Sequence, residues 1–284
     1  MMSNRKSKRY WKGRDQLKKE RIDVLLTQQG YFESRENAKR AIMAGLVLVG
    51  QERVDKPGEK FPVESLITIK GSVSPYVSRG GFKLEKAIKA FNLDLKGKTI
   101  IDIGSSTGGF TDCALQNGAK RSYAVDVGYN QLAWKIRQDE RVVVMERTNF
   151  RHMVESDLPF GRPEFACIDV SFISLKIILP VLKTLLQKGG EIAALIKPQF
   201  EAGREQVGKK GIIKDPKVHL QVIEDLLSFI EALELSVVGL TYSPIKGGEG
   251  NIEFLVHISY SDVMKTSVSK DEMLRVVKEA HNQL

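Results

Sequence analysis

The sequence has few cysteines and no long apolar run. Only two of its 284 residues are cysteines, Cys113 and Cys167, and a single pair in a chain of this length is not a disulfide framework. The longest apolar stretch lies near Ile177 to Leu182, contains Pro180 and is far too short to span a bilayer. No apolar run follows the basic start, so we expect no secretory leader. These absences argue against a disulfide-stabilised secreted protein and a transmembrane one, and we expect a reduced, cytoplasmic protein that does not enter a membrane.

Basic residues outnumber acidic ones, 44 to 35, which gives a formal net charge of +9. A basic balance favours a polyanionic partner, although Lys-rich enzymes without one are common. The segment from Met1 to Glu20 holds eight basic residues against two acidic ones, with Tyr10 and Trp11 among them. Such a segment cannot bury a core, so we predict a flexible basic arm over residues 1–20 that is loose until it meets phosphate. A solubilising tail is the alternative.

The next fifty residues have the pattern of a small compact module. Ile22, Leu25 and Leu26 form a short helical stripe that ends at Gly30. Ser34 is placed as an N-cap, and the second helix is expected to end before Gly45. The short strands predicted after it are Leu46 to Val49, a segment around Val54, and Leu66 to Ile69.

This module resembles the RNA-binding module first seen in a small-subunit ribosomal protein and also found in pseudouridine synthases and tyrosyl-tRNA synthetases. The matching residues are Arg21-Ile-Asp23-x-Leu25-Leu26, Ser34-Arg35-x-x-Ala38, Ile42-x-x-Gly45, Val47-x-Val49-Gly50 and Lys56-Pro57. The resemblance implies that the basic side chains of the module contact RNA, namely Arg21, Arg35, Lys39, Arg40 and Lys56. A similar scaffold that does not touch RNA is the alternative.

Beyond a Gly- and Ser-rich stretch, strands alternate with helices, which is typical of a parallel α/β sheet. The candidate strands are Thr99 to Ile103, Arg121 to Val127, Val142 to Met145, Phe165 to Asp169, Glu191 to Ile196, Ser236 to Tyr242 and Ile252 to Ile258. Seven strands suit one doubly wound domain. The predicted segments are the arm at 1–20, the module at 21–70, a linker at 71–77, the large α/β domain at 78–262 and a helical tail at 263–284.

A glycine-rich turn follows the first of these strands, in Asp102-Ile-Gly104-Ser-Ser-Thr107-Gly108-Gly109. Glycines there let the backbone approach a ligand at the carboxyl ends of the strands. The pattern differs from the dinucleotide motif, because an acid precedes the turn and would repel a pyrophosphate. Asp102 suits a cationic ligand with an amine and a sulfonium. The residues expected to bind the ligand here are Asp102, Gly104, Ser105, Ser106, Thr107, Gly108, Gly109 and Phe110.

Two further strand ends carry polar side chains that suit the same ligand. Asp126 ends the second strand, where a carboxylate can accept hydrogen bonds from two ribose hydroxyls. Asn149 follows the third strand, where it could meet an adenine. The alternative for Asp126 is a helix cap. Together these residues resemble the class I methyltransferases, and the resemblance implies S-adenosylmethionine as the cofactor, without a metal.

Four charged residues are predicted to share one crevice. Lys83 lies in Ser78-Arg79-Gly80-Gly81-Phe82-Lys83-Leu84, Asp169 and Lys197 follow adjacent strands, and Glu253 lies near the last strand. A hydroxyl is a weak acid, so its methylation needs a base or a polarising group aimed at it. We predict that Lys197 is this group, that Asp169 and Lys83 steer it, and that Glu253 holds the second lysine or the ribose. Ordinary strand-end salt bridges are the alternative for each residue taken alone.

The order Lys83, Asp169, Lys197, Glu253 is similar to the Lys-Asp-Lys-Glu tetrad of FtsJ-like ribose 2′-O-methyltransferases. With the RNA-binding module in front, the chain resembles the TlyA family. The resemblance implies an α/β class I methyltransferase fold, a Rossmann-like seven-stranded, mostly parallel sheet preceded by a small α+β RNA-binding domain. It also implies methylation of a cytidine 2′-hydroxyl in ribosomal RNA.

A basic segment after Lys197 is predicted to grip the target RNA strand. The RNA-binding residues expected in the α/β domain are Arg79, Arg204, Lys209 and Lys210. A plain solvated loop is the alternative for the segment. The target nucleotide is expected to leave its helix to reach the cofactor, and Phe200 and Tyr129 are candidate stacking partners, although packing is the favoured explanation for each.

Three other functions are weighed against this one. A haemolysin, a label that the family has also carried, conflicts with the lack of a membrane-spanning segment. A non-catalytic RNA-binding factor conflicts with the intact Asp102, Asp126 and tetrad. A cytosine carbon-5 methyltransferase needs a nucleophilic cysteine, whereas we expect Cys113 to lie in the core and Cys167 to point away from the crevice. An amine methyltransferase motif of the Asn/Asp-Pro-Pro-aromatic type is missing.

Overall fold

The computed structural model of the chain describes residues 19–32, 34–70, 75–208, 211–247, 250–261 and 268–284. The chain divides into two compact units, Met1–Pro75 and Tyr76–Leu284. Residues 1–18 of the predicted arm and residues 71–74 of the predicted linker lie outside the described residues. Tyr76, which was placed in that linker, is buried in the core of the second unit.

The first unit consists of two helices and two small antiparallel sheets. Its elements are β1 (Lys19–Arg21), α1 (Ile22–Gln28), α2 (Arg35–Met43), β2 (Val47–Val49), β3 (Glu52–Arg53), β4 (Lys60–Pro62) and β5 (Ile67–Ile69). One sheet has the order β3-β2-β5, and β1 pairs with β4 in the other. The core holds Ile22, Leu25 and Leu26 of α1 against Ala41 and Ile42 of α2.

The sequence patterns predicted both helices, but they did not predict the sheet formed by β1 and β4. Ser34 caps α2 by accepting a hydrogen bond from the backbone N–H of Asn37, and Gly45 after the helix has a φ of 69°. The prediction of a loose arm up to residue 20 is wrong at its end, because Lys19 and Glu20 pair with Pro62 and Phe61. Val54 packs in the core without being part of a strand, since β3 ends before it.

The second unit is a seven-stranded sheet covered by helices on both faces. Its elements are α3 (Gly80–Phe91), β6 (Thr99–Ile103), α4 (Gly109–Gln116), β7 (Arg121–Val125), α5 (Trp134–Arg137), β8 (Val142–Met145), β9 (Phe165–Ile168), α6 (Leu175–Leu185), β10 (Glu191–Ile196), α7 (Pro198–Glu201), α8 (Pro216–Ala232), β11 (Ser236–Tyr242), β12 (Phe254–Ser259) and α9 (Lys270–Gln283). The strand order is β11-β12-β10-β9-β6-β7-β8.

All strands of this sheet point the same way except β12. The pairs β8–β7, β7–β6, β6–β9 and β9–β10 are parallel, and β12 is antiparallel to both β10 and β11. The predicted seven-stranded, mostly parallel sheet is therefore confirmed. Ile252 and Glu253 were placed inside the last strand, but β12 begins only at Phe254.

Neighbouring residues of the strands pack on opposite faces of the sheet. In β9, Cys167 joins the core cluster that contains Leu84 of α3 and Ala114 of α4. Its neighbour Ile168 joins the cluster formed with α6, α8 and α9. Strands buried on both faces explain the nearly continuous apolar runs in the sequence.

Helix α9 belongs to this core, although it was predicted as a tail. Its side chains Met273, Val276, Val277 and Ala280 are buried in the same cluster as α6 and α8. Residues 263–267 of the predicted tail lie outside the described residues. The described part of that segment thus completes one face of the sheet.

In the first unit, a buried carboxylate holds two of the arginines that were predicted to bind RNA. Asp23 is fully buried, and its oxygens accept hydrogen bonds from Arg21 at 2.9 and 3.0 Å and from Arg35 at 2.9 Å. The hydrogen bonds from Arg21, joined by that from Arg35, lower the pKa of Asp23 to about 2. Both arginine side chains are still 42% and 52% exposed, so each can also face a phosphate.

We expect Asp23→Asn to destabilise the first unit by about 2 kcal/mol at pH 7, because the lowered carboxyl pKa reports that much stabilisation of the folded state. This stabilisation is complete above the unfolded-state pKa near 4 and is lost as the pH falls toward 2. Calorimetry of the full chain should show a constant difference between the native chain and the variant from pH 5 to 7 that shrinks below pH 4. Asp55→Asn, at an exposed acid of the same unit, is the control. An equal loss in both variants would contradict this role of Asp23.

Candidate active site

The strand directions bring three of the four tetrad residues to one edge of the sheet. Asp169 directly follows β9 and Lys197 directly follows β10, at the carboxyl ends of parallel strands. Because β12 is antiparallel, its first residue Phe254 lies opposite Ile196, the last residue of β10. Glu253 therefore arrives beside Lys197 from the opposite chain direction.

The fourth residue, Lys83, comes from the first turns of α3 and completes the cluster. Its Nζ lies 3.2 Å from Oδ2 of Asp169 and 2.7 Å from Oε2 of Glu253. On the other side of Asp169, Oδ1 lies 2.6 Å from Nζ of Lys197. Lys83, Lys197 and Glu253 are 7%, 7% and 1% exposed. The structure thus brings together all four residues that the sequence singled out.

In this cluster the effect of burial on the pKa of Lys83 and of Asp169 is opposed by the neighbouring side chains. Burial alone would favour the neutral amine of Lys83, but the charges of Asp169 and Glu253 outweigh it and raise the pKa of Lys83. Burial likewise favours the neutral carboxyl of Asp169, and Lys83 and Lys197 outweigh it and lower the pKa of Asp169. Lys83 and Asp169 are therefore charged at neutral pH.

Lys197 has one contact that the sequence analysis did not assign. Its Nζ donates a hydrogen bond of 3.0 Å to the hydroxyl of Ser171, two residues after Asp169. Ser171 and Asp169 thereby fix the amine from the loop that follows β9. The sequence shows a serine two residues after Asp169. That this serine lies beside Lys197 follows only from the pairing of β9 with β10.

The glycine turn after β6 approaches the same loop closely. Gly104 has a φ of 85°, and a Cβ built on it would lie 2.6 Å from the carbonyl oxygen of Asp169. Its N–H bonds to the carbonyl of Val125 at the end of β7. Gly104 is therefore required both by its backbone conformation and by the lack of space beside Asp169.

Asp102 lies beneath the glycine turn. It is fully buried, and its Oδ2 accepts hydrogen bonds from the backbone N–H of Thr111 at 3.0 Å and from the Thr111 hydroxyl at 2.7 Å. Burial raises the pKa of this carboxyl to about 7. Asp102 thus ties β6 to the first turn of α4 and does not line the cavity described next. Its predicted contact with a cofactor amine stays a prediction.

A cavity of about 730 Å³ opens at this edge of the sheet. Four of the ten residues predicted to bind the cofactor line it: Gly104, Ser106, Asp126 and Asn149. It is also lined by Asp169 and Ser171, the two residues that contact the amine of Lys197. Its size suits a nucleoside-sized ligand, and it combines apolar walls with a few polar groups.

Asp126 connects two segments of the cavity wall through hydrogen bonds. Its Oδ2 accepts a hydrogen bond of 2.8 Å from the N–H of Ser106, and its Oδ1 accepts one of 2.7 Å from the N–H of Gly128. These bonds join the glycine turn to the loop after β7. Each carboxylate oxygen keeps capacity for a second donor, as contact with ribose hydroxyls requires. Asn149 caps the short turn after β8 by accepting from the N–H of Arg151.

The remaining predicted cofactor residues do not line the cavity, and their contacts with the cofactor stay predictions. Ser105 and Phe110 are buried, and the carbonyl of Thr107 accepts from the N–H of Ala133. Gly108 precedes α4 with a φ of 92°. A Cβ on Gly109, the first residue of that helix, would meet the hydroxyl of Ser78.

Hydrogen bonds and a contact between two aromatic rings connect the loop of residues 170–174 to α7, next to the cavity. Glu201 of α7 accepts hydrogen bonds of 2.6 Å from the Ser174 hydroxyl and 2.7 Å from the N–H of Leu175, at the start of α6. Phe172 in the loop packs on Phe200 of α7, with 5.0 Å between the ring centroids. Periodicity could not have identified these residues, because both elements are too short to show any.

The residues predicted to bind RNA are spread over both units. Arg21 and Arg35 are held by Asp23, Lys39 lies 3.7 Å from Glu36, and Arg40 is half-buried. Lys56 and Arg79 are exposed. Lys209, Lys210 and the side chain of Arg204 lie outside the described part of the chain.

The burial of the two cysteines and the length of the helices are relevant to the competing functions. Cys113 and Cys167 are both free and fully buried, and burial is the main reason that the pKa of each thiol is raised, for Cys113 to about 12. Within the described ranges, no helix is both long and apolar enough to cross a bilayer. The same residues contain no group of three or more His, Cys, Asp or Glu side chains placed to hold a metal ion.

Comparison with known proteins agrees with the geometry. The FtsJ-like methyltransferase family matches residues 76–260, and the S4 domain matches residues 20–67. A Bacillus subtilis protein named as a candidate rRNA methyltransferase, YqxC, is 62% identical over 94% of this chain and 96% of its own.

Two further relatives carry different names. The Mycobacterium tuberculosis 16S/23S rRNA (cytidine-2′-O)-methyltransferase TlyA is 38% identical over 83% of this chain and 88% of its own length. A solved structure from Streptococcus thermophilus, described as a candidate hemolysin, is 53% identical, covers 94% of this chain and 97% of its own, and superposes with a TM-score of 0.74. The chain belongs to the TlyA family of FtsJ-like, S-adenosylmethionine-dependent methyltransferases that carry an S4 domain in front.

Proposed function

We propose that the protein transfers a methyl group from S-adenosylmethionine to a ribose 2′-hydroxyl of ribosomal RNA, with a cytidine as the target. The observation that carries this proposal is the buried Lys83–Asp169–Lys197–Glu253 cluster at the edge of the cofactor-sized cavity. The name of the M. tuberculosis relative supports the ribose and the cytidine. A ribosomal substrate also implies that the protein acts in the cytoplasm.

The residues of the cavity fit the cofactor. Asp126 has oxygens that can accept from ribose hydroxyls, Asn149 lines the cavity and would be the contact for the adenine, and Gly104 and Ser106 present backbone without bulky side chains. S-adenosylmethionine supplies a sulfonium-bound methyl group that a hydroxyl oxygen can attack. The protein therefore has to bring that oxygen to the cavity edge and handle its proton.

Lys197 is the group best placed to act on the hydroxyl. Its amine is held by Ser171 and Asp169 on the cavity edge, so a hydroxyl that meets it is oriented toward the cavity. Lys197 either takes the hydroxyl proton or holds the oxygen in line. Lys83 stays charged between Asp169 and Glu253 and fixes the position of Asp169. Lys83 and Glu253 are thus positioning residues, which act through Asp169.

We expect the S4 unit to contact the RNA, where it would recognise the shape of the RNA and bind its phosphates. Arg21 and Arg35 are fixed in position by Asp23 while their guanidinium groups stay partly exposed. Arginines that are already oriented lose less entropy when they bind phosphate. Lys56 and Arg79 add exposed positive charge, one in each unit.

The competing functions fit the structure less well. A carbon-5 methyltransferase needs an accessible thiolate, whereas burial disfavours the thiolate of both Cys113 and Cys167. A non-catalytic RNA-binding factor would have no need for two lysines buried against two carboxylates. Buried charges are costly and are common at sites that use them.

The first test uses labelled S-adenosylmethionine and ribosomal subunits that lack the modification. We expect the native chain to place the label on a cytidine 2′-hydroxyl, which ribose-methylation sequencing locates. Lys197→Met should lower the rate by about 10²–10⁴-fold, the range for loss of a proton-transfer group, and should leave cofactor affinity within about threefold. Lys120→Met, at an exposed lysine on the opposite edge of the sheet, is the matched control.

Each of three outcomes would contradict the proposal. Label on a base would exclude ribose methylation, and unchanged activity of Lys197→Met would remove Lys197 from the reaction. Cofactor binding by the native chain without any transfer to ribosomal subunits would exclude ribosomal RNA as the substrate.

A second prediction concerns the close approach of Gly104 to Asp169. Gly104→Ala should weaken binding of S-adenosylmethionine by tenfold or more, because the new methyl group displaces either the glycine turn or the Asp169 backbone. Gly161→Ala is the control, since Gly161 has the same φ of 85° but open space around it. Both variants carry the backbone strain of about 1–2 kcal/mol, and only Gly104→Ala adds the clash. Isothermal titration with S-adenosylmethionine measures the difference, and equal affinities would show that the close approach is unimportant.

A further inference from the structure

Two short segments leave the sheet side by side at the candidate active site. One is the loop of residues 170–174, which follows Asp169, and the other is α7, which follows Lys197. They are in contact at their beginnings, where Nζ of Lys197 lies 2.6 Å from Oδ1 of Asp169 and donates to the hydroxyl of Ser171. They are in contact again at their ends, through Glu201. The position of Lys197 therefore depends on how α7 is held along its whole length.

Helix α7 is too short to hold its own conformation. It is a single turn, Pro198–Glu201, and a turn of this length is not stable by itself in water. Of its four residues only Pro198 is buried. Lys197 is the N-cap residue, and its backbone carbonyl accepts a hydrogen bond from the N–H of Phe200. The turn therefore depends on contacts with neighbouring elements, and a shift at Glu201 is transmitted to Lys197 at its other end.

The carboxylate of Glu201 attaches the end of this turn to the start of α6. Its Oε2 accepts a hydrogen bond of 2.6 Å from the Ser174 hydroxyl, and its Oε1 accepts one of 2.7 Å from the N–H of Leu175. These distances are typical of charge-assisted hydrogen bonds, which are roughly twice as strong as neutral ones. The Ser174 hydroxyl also accepts from the N–H of Lys176 and so caps α6. Burial raises the pKa of Glu201, and the two hydrogen bonds and the charge of Lys176 oppose that effect.

Helix α6 is a firm anchor because one of its faces lies in the core. Its buried side chains belong to the same cluster as those of α8, and they are Leu175, Ile178, Leu179, Leu182 and Leu185. Densely packed elements move little, because any shift gives up many contacts at once. Glu201 thus connects a turn that is weakly held by its own residues to a helix that is strongly held.

We infer that Glu201 is a positioning residue for the methyl transfer, whose two hydrogen bonds to α6 hold α7 so that the amine of Lys197 meets the ribose hydroxyl. The inference rests on the proposed function and adds to it a residue that acts through Lys197. A group that takes or orients a proton works only within hydrogen-bond reach of it. A misplacement of about 1 Å can lower a rate by about 100-fold. Glu201 does not line the cofactor cavity, so its loss should affect the reaction more than cofactor binding.

The test compares the native chain with two variants, using labelled S-adenosylmethionine and ribosomal subunits that lack the modification. Glu201→Met keeps the length of the side chain and neither hydrogen bond. We expect its kcat to fall by about tenfold or more, while KM for the subunits and Kd for the cofactor stay within about threefold. Glu201→Gln keeps both hydrogen bonds without the charge, since its carbonyl accepts from Leu175 and its amide donates to Ser174. Its kcat should return to within about threefold of the native value.

Glu224→Met is the matched control. Glu224 lies on α8 and pairs with Lys270 of α9 at 2.8 Å, so the same substitution there breaks an ion pair between two other helices. We expect this variant to keep the native kcat. Melting temperatures of all variants, measured alongside, separate a loss of stability from a loss of rate.

Four outcomes would overturn the role of Glu201 while ribose methylation still stands. They are a native kcat in Glu201→Met, a Glu201→Gln variant as slow as Glu201→Met, an equal fall in Glu224→Met, and a loss of cofactor affinity as large as the loss of kcat. A native chain that transfers no methyl group would instead overturn the proposed function, and this inference with it.

A second pair of variants keeps the inference testable if Glu201→Met does not fold. Ser174→Ala removes one of the two hydrogen bonds, so it should lower kcat with little change in cofactor affinity. Ser174→Thr retains the hydroxyl and should keep most of the native rate. Equal rates for these two variants would also overturn the inference.

Discussion

The candidate active site depends on the ion pairs among four side chains, of which Lys83, Lys197 and Glu253 are buried and Asp169 is half-buried. Lys83 stays charged in this largely apolar environment because Asp169 and Glu253 face it, and Asp169 stays ionised because Lys83 and Lys197 face it. Gly247 packs directly against the carboxylate of Glu253, so even the far side of the cluster has no room for a larger residue. Removing one member therefore leaves the others uncompensated, and the cluster acts as a unit.

Three contacts hold the segment that carries Lys197 against the loop that carries Asp169. Lys197 reaches Ser171, Phe200 packs on Phe172, and Glu201 binds Ser174 and Leu175, all between the segment after β10 and the loop after β9. The loop that carries Asp169 is thus tied at three points to the segment that carries Lys197. Burial raises the pKa of Glu201, so this last contact weakens first when the pH falls.

The sequence predicted the parts of this arrangement that depend on local patterns. Apolar runs ending in Asp102, Asp169 and Lys197 identified parallel strands and their shared edge, since parallel strands end on the same side of a sheet. The boundaries of β6, β8, β10 and β11 agree with those expected. The predictions that were wrong concern contacts between residues that are distant in sequence. The β1–β4 pair joins residues about forty positions apart, and α9 is recognised as part of the core only when α8 is packed against it.

Asp102 shows why the site was harder to predict than the fold. An acid before a glycine turn indicates a cofactor site, but the sequence does not say which way the carboxylate points. In the structure its Oδ2 binds Thr111 in the first turn of α4, and the predicted contact with a cofactor amine stays a prediction. Phe172 illustrates the opposite case, because a phenylalanine in a short loop gives no signal until its ring is seen beside that of Phe200. Strand order thus brings the four charged groups together, whereas the direction of individual side chains decides which of the predicted residues reach the cavity.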